Sequence, residues 1–332
     1  MPYSPYTHQM GSSGTRSTLH SAQHDGLSRL LLEEYGLRQA HITLLREGEN
    51  SVFRVDIPSG ERYALRLHTA GRHHPAALDS ELEWLDLLAR NGAIPVPQPV
   101  RSVSGSWVAS LRVPPAPSLL CTLLTWLEGE ALPEGQEFTL TQAEQAGEVL
   151  GQLHTQAEQF RPPAVFERPH YDAPYFLASA RQLQQNITTF VDRQRLDRLN
   201  VALPQMLRKL GPLNDIPGGF GLIHADVHPG NFLQQETGLA LIDFDRCGWG
   251  PFLLDLANAD LALEPEERAA LITGYTRFRA LPAGYEHPLK ALRVLAMIDN
   301  LAFLSERPEE LPFVLEALPV VETALVAAAG SS

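Results

Sequence analysis

The chain has 332 residues, 44% of them hydrophobic, a formal net charge of -13 at pH 7 and two cysteines. That length allows one large core or two moderate ones; the acidic balance argues against broad binding to a nucleic-acid backbone, which relies on a basic surface. Cys121 and Cys247 in a chain without a secretion signal argue against a disulfide framework or a cysteine-rich zinc module.

In chain order, residues 1–17 mix Pro, Gly, Ser and Thr without apolar periodicity and read as a flexible tail. Residues 18–125 read as an N-terminal lobe of short strands with one helix. Strands are expected over Ile42–Leu45, Ser51–Asp56 and Tyr63–His68, with Pro58-Ser59-Gly60 as the turn between the last two. Leu78, Leu82, Leu85 and Ala89 recur at helical spacing up to Asn91-Gly92. A proline-rich stretch follows, and then a strand pair over Ser106–Leu111 and Leu119–Thr125.

Residues 126–332 read as a larger, mainly helical lobe. Thr141 and Glu144 have the spacing of a capping box. Further helices are expected near Val191–Leu210, Glu266–Arg279, Pro288–Leu304 and Leu311–Ala328. No uninterrupted apolar run approaches the roughly 20 residues that span a bilayer, and no basic segment followed by an apolar one opens the chain. A cytoplasmic protein with no membrane partner is expected.

One strand-like island, G-L-I-H-A-D-V-H-P-G-N-F-L-Q-Q-E-T-G-L-A-L-I-D-F-D, interrupts the helices. It carries His224, Asp226 and Asn231 as H-x-D-x-x-x-x-N, and an apolar strand then delivers Asp243 in D-F-D. Phosphoryl transfer needs an anionic base beside the acceptor hydroxyl, a task that fits Asp226. It also needs hard oxygen ligands for magnesium, which Asn231 and Asp243 supply. The alternation of His224, Asp226 and His228 leaves a second reading open, a metal-dependent hydrolase with these three side chains on one strand face.

The island resembles the catalytic region of the aminoglycoside phosphotransferase and choline kinase-like superfamily, relatives of the eukaryotic protein kinases. H-A-D-V-H-P-G-N followed by L-I-D-F-D carries the resemblance, and G-P-F-L-L-D-L-A extends it. Within the superfamily these segments are most similar to homoserine kinase-like enzymes and stress-response Ser/Thr kinases. The resemblance implies an α+β, protein-kinase-like two-lobed fold, with a small antiparallel sheet and one helix in the N-lobe. It also implies ATP as co-substrate, with Mg2+.

Residue by residue, the resemblance implies Asp226 as base and His224 as a support of the loop. His228 stands where protein kinases carry a lysine, and either approaches the transferring phosphate or braces the loop. Asp255 braces the catalytic loop from the following helix, or else caps that helix at the surface. Upstream, R-E-G-E-N-S-V-F-R-V is similar to the nucleotide-covering hairpin, with Gly48 and Asn50 at its turn. Y-A-L-R-L-H places Arg66 as the phosphate-contacting cation, and Glu81, with Glu83 as competitor, as its ion-pair partner. Trp126 and Leu127 fall in the connecting strand expected to meet the adenine.

Asp245 replaces the glycine of D-F-G, so the hinge used for inactive-state flipping is missing. It either contacts a metal or the acceptor, or closes a turn. Only a short connection separates Asp243 from Asp255, with no room for an activation loop. A small hydroxyl-bearing acceptor of the amino alcohol, aminoglycoside, sugar or homoserine type is the leading expectation, and a protein Ser/Thr kinase of the stress-response type is the alternative.

Overall fold

The computed structural model describes residues 21–46, 50–69, 71, 74–111, 118–133 and 137–330. The expected tail lies outside them. The described chain divides into two compact units: residues 21–129 with 161–168, and residues 130–160 with 169–330.

The first unit contains α1 (Ser21–Tyr35), β1 (His41–Arg46), β2 (Asn50–Asp56), β3 (Arg62–His68), α2 (Pro75–Asn91), β4 (Pro99–Val100), β5 (Val108–Leu111) and β6 (Leu119–Thr125). The strands form one antiparallel sheet in the order β1-β2-β3-β6-β4, with β5 also paired to β6. Gly60, at φ 97, turns β2 into β3 by donating its N–H to the Ile57 carbonyl at 2.9 Å. Register places Phe53 opposite Leu65 and Leu65 opposite Leu123. These residues share one buried face with Val55 and Cys121, packed with Leu27, Leu30 and Leu31 of α1. Side chains alternate across a strand, so Arg66, next to Leu65, presents to the opposite face with Thr122 and His68.

Two expectations change in this unit. The sheet is accompanied by two helices rather than one. In α1 the apolar positions Leu27, Leu30 and Leu31 repeat at helical spacing, but no acidic first turn or basic last turn marks its ends. The strand expected from Ser106 begins at Val108.

The second unit contains β7 (Glu130–Ala131), α3 (Leu140–Gln159), α4 (Ala173–Ile187), α5 (Arg193–Leu210), β8 (Phe220–Ile223), β9 (Phe232–Gln235), β10 (Gly238–Leu241), β11 (Gly248–Pro251), α6 (Phe252–Ala259), α7 (Pro265–Thr276), α8 (Glu286–Leu304) and α9 (Leu311–Gly330). Its strands form two small sheets, β10-β9-β7 and β11-β8. The capping box of α3 is made by Thr139 and Gln142, not Thr141 and Glu144: Thr139 Oγ1 accepts from the Gln142 N–H at 3.3 Å and Gln142 Oε1 from the Thr139 N–H at 3.0 Å. The helix therefore starts two residues before the position that the Thr141 and Glu144 spacing suggested.

α3 and α7 cross at glycines. A Cβ on Gly274 would lie 1.9 Å from the Glu144 carbonyl oxygen, and one on Gly147 would lie 2.0 Å from that of Leu271. Only hydrogen at both positions allows the backbones to come this close. Within the segment Pro308–Gly330 an 18-residue stretch has a mean hydropathy of 1.7, so by length and composition it could cross a membrane, a property masked in the sequence by Glu316 and Glu322. In this fold it buries Val314, Leu318, Val321 and Leu325. Its Glu322 pairs with Arg195 and Arg198 of α5, while Val320 and Val326 are exposed, so the helix packs on α5 by one face.

Candidate active site

The island of the sequence becomes a loop between β8 and β9, then the β9-β10 hairpin, then a single 3-10 turn over Phe244–Arg246. The Ile242 N–H donates to the Asn231 carbonyl at 2.9 Å, which holds the end of the loop beside the residue preceding Asp243. Ala225 (φ 65) and Asp243 (φ 64) both adopt left-handed backbone. Such a conformation costs roughly 1–3 kcal/mol at a non-glycine residue and persists only where surrounding contacts enforce it.

Those contacts are visible. The Asp255 carboxylate, fully buried in the first turn of α6, accepts the backbone N–H of His224 at 2.8 Å and of Ala225 at 2.7 Å. It thereby pins the left-handed turn. His224 is also fully buried. Its Nδ1 accepts from the Asp226 N–H at 3.3 Å, so Nε2 carries the proton and donates to the Ile242 carbonyl at 3.0 Å. The ring thus ties the start of the loop to the strand that delivers Asp243.

With both ring nitrogens engaged in this way, His224 offers no lone pair to a metal. His228 Nδ1 accepts from the Gly230 N–H at 3.1 Å, which leaves Nε2 as the protonated nitrogen, 3.7 Å from Asp226 Oδ2. The hydrolase reading of His224, Asp226 and His228 is therefore overturned. Among the described residues no group of three or more His, Cys, Asp or Glu side chains is arranged to hold a metal ion.

Asp226 is the focus of the loop. Asn231 Nδ2 donates to its carboxylate at 3.1 Å and to its backbone carbonyl at 2.9 Å. Arg246 Nη1 lies 3.7 Å from Oδ1. Burial alone would push the Asp226 carboxyl up, but its interaction with His228 and the charge of Arg246 outweigh burial and hold it well below the usual carboxylate range. Asp245 is half-buried in the 3-10 turn, one residue before Arg246.

In the first unit Arg66 and Glu81 meet at 2.8 Å with both side chains buried. Glu83 lies outside this pair, half-exposed beside Arg101 and Trp107. Burial raises the Glu81 carboxyl, but Arg66 and Arg168 together bring it below its ordinary value. Asn50 is buried at the start of β2, across from His68. Trp126 and Leu127 are half-buried just past β6, where the Trp126 N–H donates to the Arg62 carbonyl at 3.0 Å. Gly48 lies outside the described residues.

Four residues at these sites carried little signal in the sequence. Arg168, outside any motif, lies 3.6 Å from Glu81 and donates to the Ala77 carbonyl at 3.2 Å. His154, on an apolar stripe of α3, meets Asp255 at 3.0 Å. Arg246 directly follows D-F-D. Asp299 was detectable only as a carboxylate inside the apolar run of α8; it pairs with Arg246.

Residues 41–292 match the model of the phosphotransferase enzyme family, APH. Amicoumacin kinase of Bacillus subtilis (strain 168) is 25% identical over 224 residues, 67% of this chain and 63% of that protein. The chain thus matches less than two thirds of the length of that curated relative. A solved complex of the amicoumacin kinase hAmiN with AMP-PNP, Ca2+ and Ami superposes with a TM-score of 0.73 at 18% identity, covering 92% of this chain and 96% of that one. The microcompartment-associated aminopropanol kinase gives a TM-score of 0.72 at 25% identity, covering 91% and 95%. The kinase-like α+β fold expected from the sequence is the fold observed.

Proposed function

From a chain that belongs to the phosphotransferase enzyme family, we infer a kinase that moves the γ-phosphoryl group of ATP to a hydroxyl of a small molecule, with Asp226 as the base. The observation that carries this reading is the placement of Asp226: a carboxylate oriented by Asn231, on a loop whose strained turn is pinned by a buried aspartate. In the transfer, the acceptor hydroxyl oxygen forms a bond to the γ-phosphorus while its proton passes to Asp226. The bond from the γ-phosphorus to the bridging oxygen breaks, and ADP leaves with that electron pair.

The donor set fits magnesium. Asn231 turns its amide nitrogen to Asp226, so its Oδ1 faces away from that carboxylate, and Asp243 adds an anionic oxygen. Bound by these two residues, magnesium would neutralise charge on the phosphate oxygens. Arg66, oriented by Glu81, is the cation assigned to the nucleotide's phosphates, and Asn50, Trp126 and Leu127 are assigned to nucleotide binding with it.

Aminopropanol and amicoumacin are the acceptors to test first, because aminopropanol kinase and amicoumacin kinase are among the relatives. Purified protein with Mg-ATP should phosphorylate a member of a panel of aminopropanol, amicoumacin, aminoglycosides and homoserine, and Asp226→Asn should abolish the transfer with nucleotide affinity retained. Phosphorylation of a generic protein substrate alone would favour the Ser/Thr kinase alternative. Unchanged turnover in Asp226→Asn would remove the base from the mechanism.

A further inference from the structure

Arg246 sits between two carboxylates that belong to different parts of the second unit. Its Nη1 is 3.7 Å from Asp226 Oδ1 on the catalytic loop, beyond hydrogen-bond range, while its Nη2 forms a direct pair with Asp299 Oδ2 of α8. Asp299 is itself held from α4, where Ser179 Oγ donates to its Oδ1 at 2.8 Å. The backbone of Arg246 is fixed as well, since the Tyr171 hydroxyl donates to its carbonyl at 2.5 Å. The Phe303 ring lies 5.3 Å from the guanidinium carbon. The Tyr175 side chain, also on α4, interacts with both Asp299 and Arg246, so the guanidinium is held on the Asp299 side while Asp226 remains within its reach.

We propose that Asp299 is a positioning residue for the transfer reaction, holding the Arg246 guanidinium off the Asp226 carboxylate so that Asp226 keeps an oxygen open to the acceptor hydroxyl. The physical reason is competition. An arginine with one carboxylate neighbour closes on it in a two-pronged pair, and such a pair on Asp226 would cover the oxygen that must receive the acceptor's proton. A second carboxylate, anchored by Ser179 on a packed helix, draws the guanidinium away. Arg246 then contributes positive charge near the base without occupying it.

The inference rests on Asp226 being the base, and two kinds of measurement keep the questions apart. The first is a crystal structure of Asp299→Asn, which keeps an acceptor for Ser179 but loses the charge. The guanidinium should move to within about 3 Å of Asp226; a guanidinium that remains where it is overturns the proposal whatever the activity. The second is turnover of Mg-ATP with aminopropanol as the probe acceptor, alongside Asp226→Asn as the control for the base. Asp299→Asn should lose at least about tenfold in kcat with little change in KM for ATP, and Asp299→Asn/Arg246→Gln should recover most of that loss. A merely structural aspartate would not be rescued by removing its partner, so a double variant as slow as Asp299→Asn overturns the proposal. Ser179→Ala, which loosens Asp299 without changing charge, should show a smaller loss in kcat; should Asp299→Asn fail to fold, an unaltered kcat in Ser179→Ala overturns it. Full activity in Asp226→Asn would sink the base assignment alone, leaving the crystal structure to judge the placement of Arg246.

Discussion

His154 Nε2 lies 3.0 Å from Asp255 Oδ2, both side chains fully buried, and His154 Nδ1 meets the Tyr275 hydroxyl at the same distance. The carboxylate fixes Nε2 as the proton-bearing nitrogen and leaves Nδ1 to accept from Tyr275. Asp255 therefore has a third donor besides the two backbone N–H groups of the catalytic loop. A buried carboxylate that loses a donor keeps its desolvation cost. His154→Ala should destabilise the protein by about 3 kcal/mol, combining that loss with a cavity beside Phe252. His154→Gln, which can still donate to the carboxylate, should lose less. Urea unfolding midpoints of the two variants check the order.

The same histidine makes stability depend on pH. Burial holds His154 below its ordinary 6.5, against the opposing pull of Asp255. Below about pH 6.5 the unfolded chain takes up a proton that the folded chain refuses, so the contribution is complete above that pH and is lost as pH falls. Glu81, whose folded value lies below its ordinary 4.5, adds a loss in the same direction at lower pH. Unfolding free energy measured from pH 8 to pH 5 should decline in the wild type. In His154→Gln the part of the decline centred near pH 6 should flatten.

Glu81 has a guanidinium on each side, Arg66 at 2.8 Å and Arg168 at 3.6 Å, all buried. Arg168→Gln removes one charge from this group and should cost about 2 kcal/mol of stability. It should also weaken ATP binding by letting the Arg66–Glu81 pair relax, whereas an exposed pair such as Arg62–Glu128 should tolerate Glu128→Gln with almost no change. Thermal melts with and without Mg-ATP report both effects.

Legibility in the sequence followed the range of the interactions. The β2-β3 hairpin and α2 were readable because turn residues and apolar repeats act locally, and H-x-D-x-x-x-x-N with D-F-D was readable because its members are covalently close. Asp299 and Arg168 reach their partners only through tertiary packing, across 53 and 87 positions of the chain respectively. His154 lies among the apolar residues of α3 and belongs to no motif. Its partner Asp255 was read as either a brace or a surface cap, and complete burial excludes the cap. Helix α1 was missed because neither of its ends carries a charge signal.

Asp243 combines two properties that usually conflict, a left-handed backbone at φ 64 and an anionic side chain assigned to the metal. Asparagine tolerates left-handed backbone nearly as well as any non-glycine residue, so Asp243→Asn removes the charge without disturbing the turn into Phe244–Arg246. Its melting temperature should stay close to that of the wild type. Turnover should nevertheless fall by roughly 100-fold or more, because an amide oxygen holds magnesium more weakly than a carboxylate and leaves the developing phosphate charge less well neutralised. The part of the loss due to metal affinity should be recoverable by raising magnesium. Asp243→Ala should be slower still and also less stable, since alanine strains the left-handed turn. Turnover against magnesium concentration for both variants, set beside their melting curves, separates the metal role from the backbone role: an Asp243→Asn enzyme with wild-type turnover at every magnesium level would leave Asp243 a turn residue only.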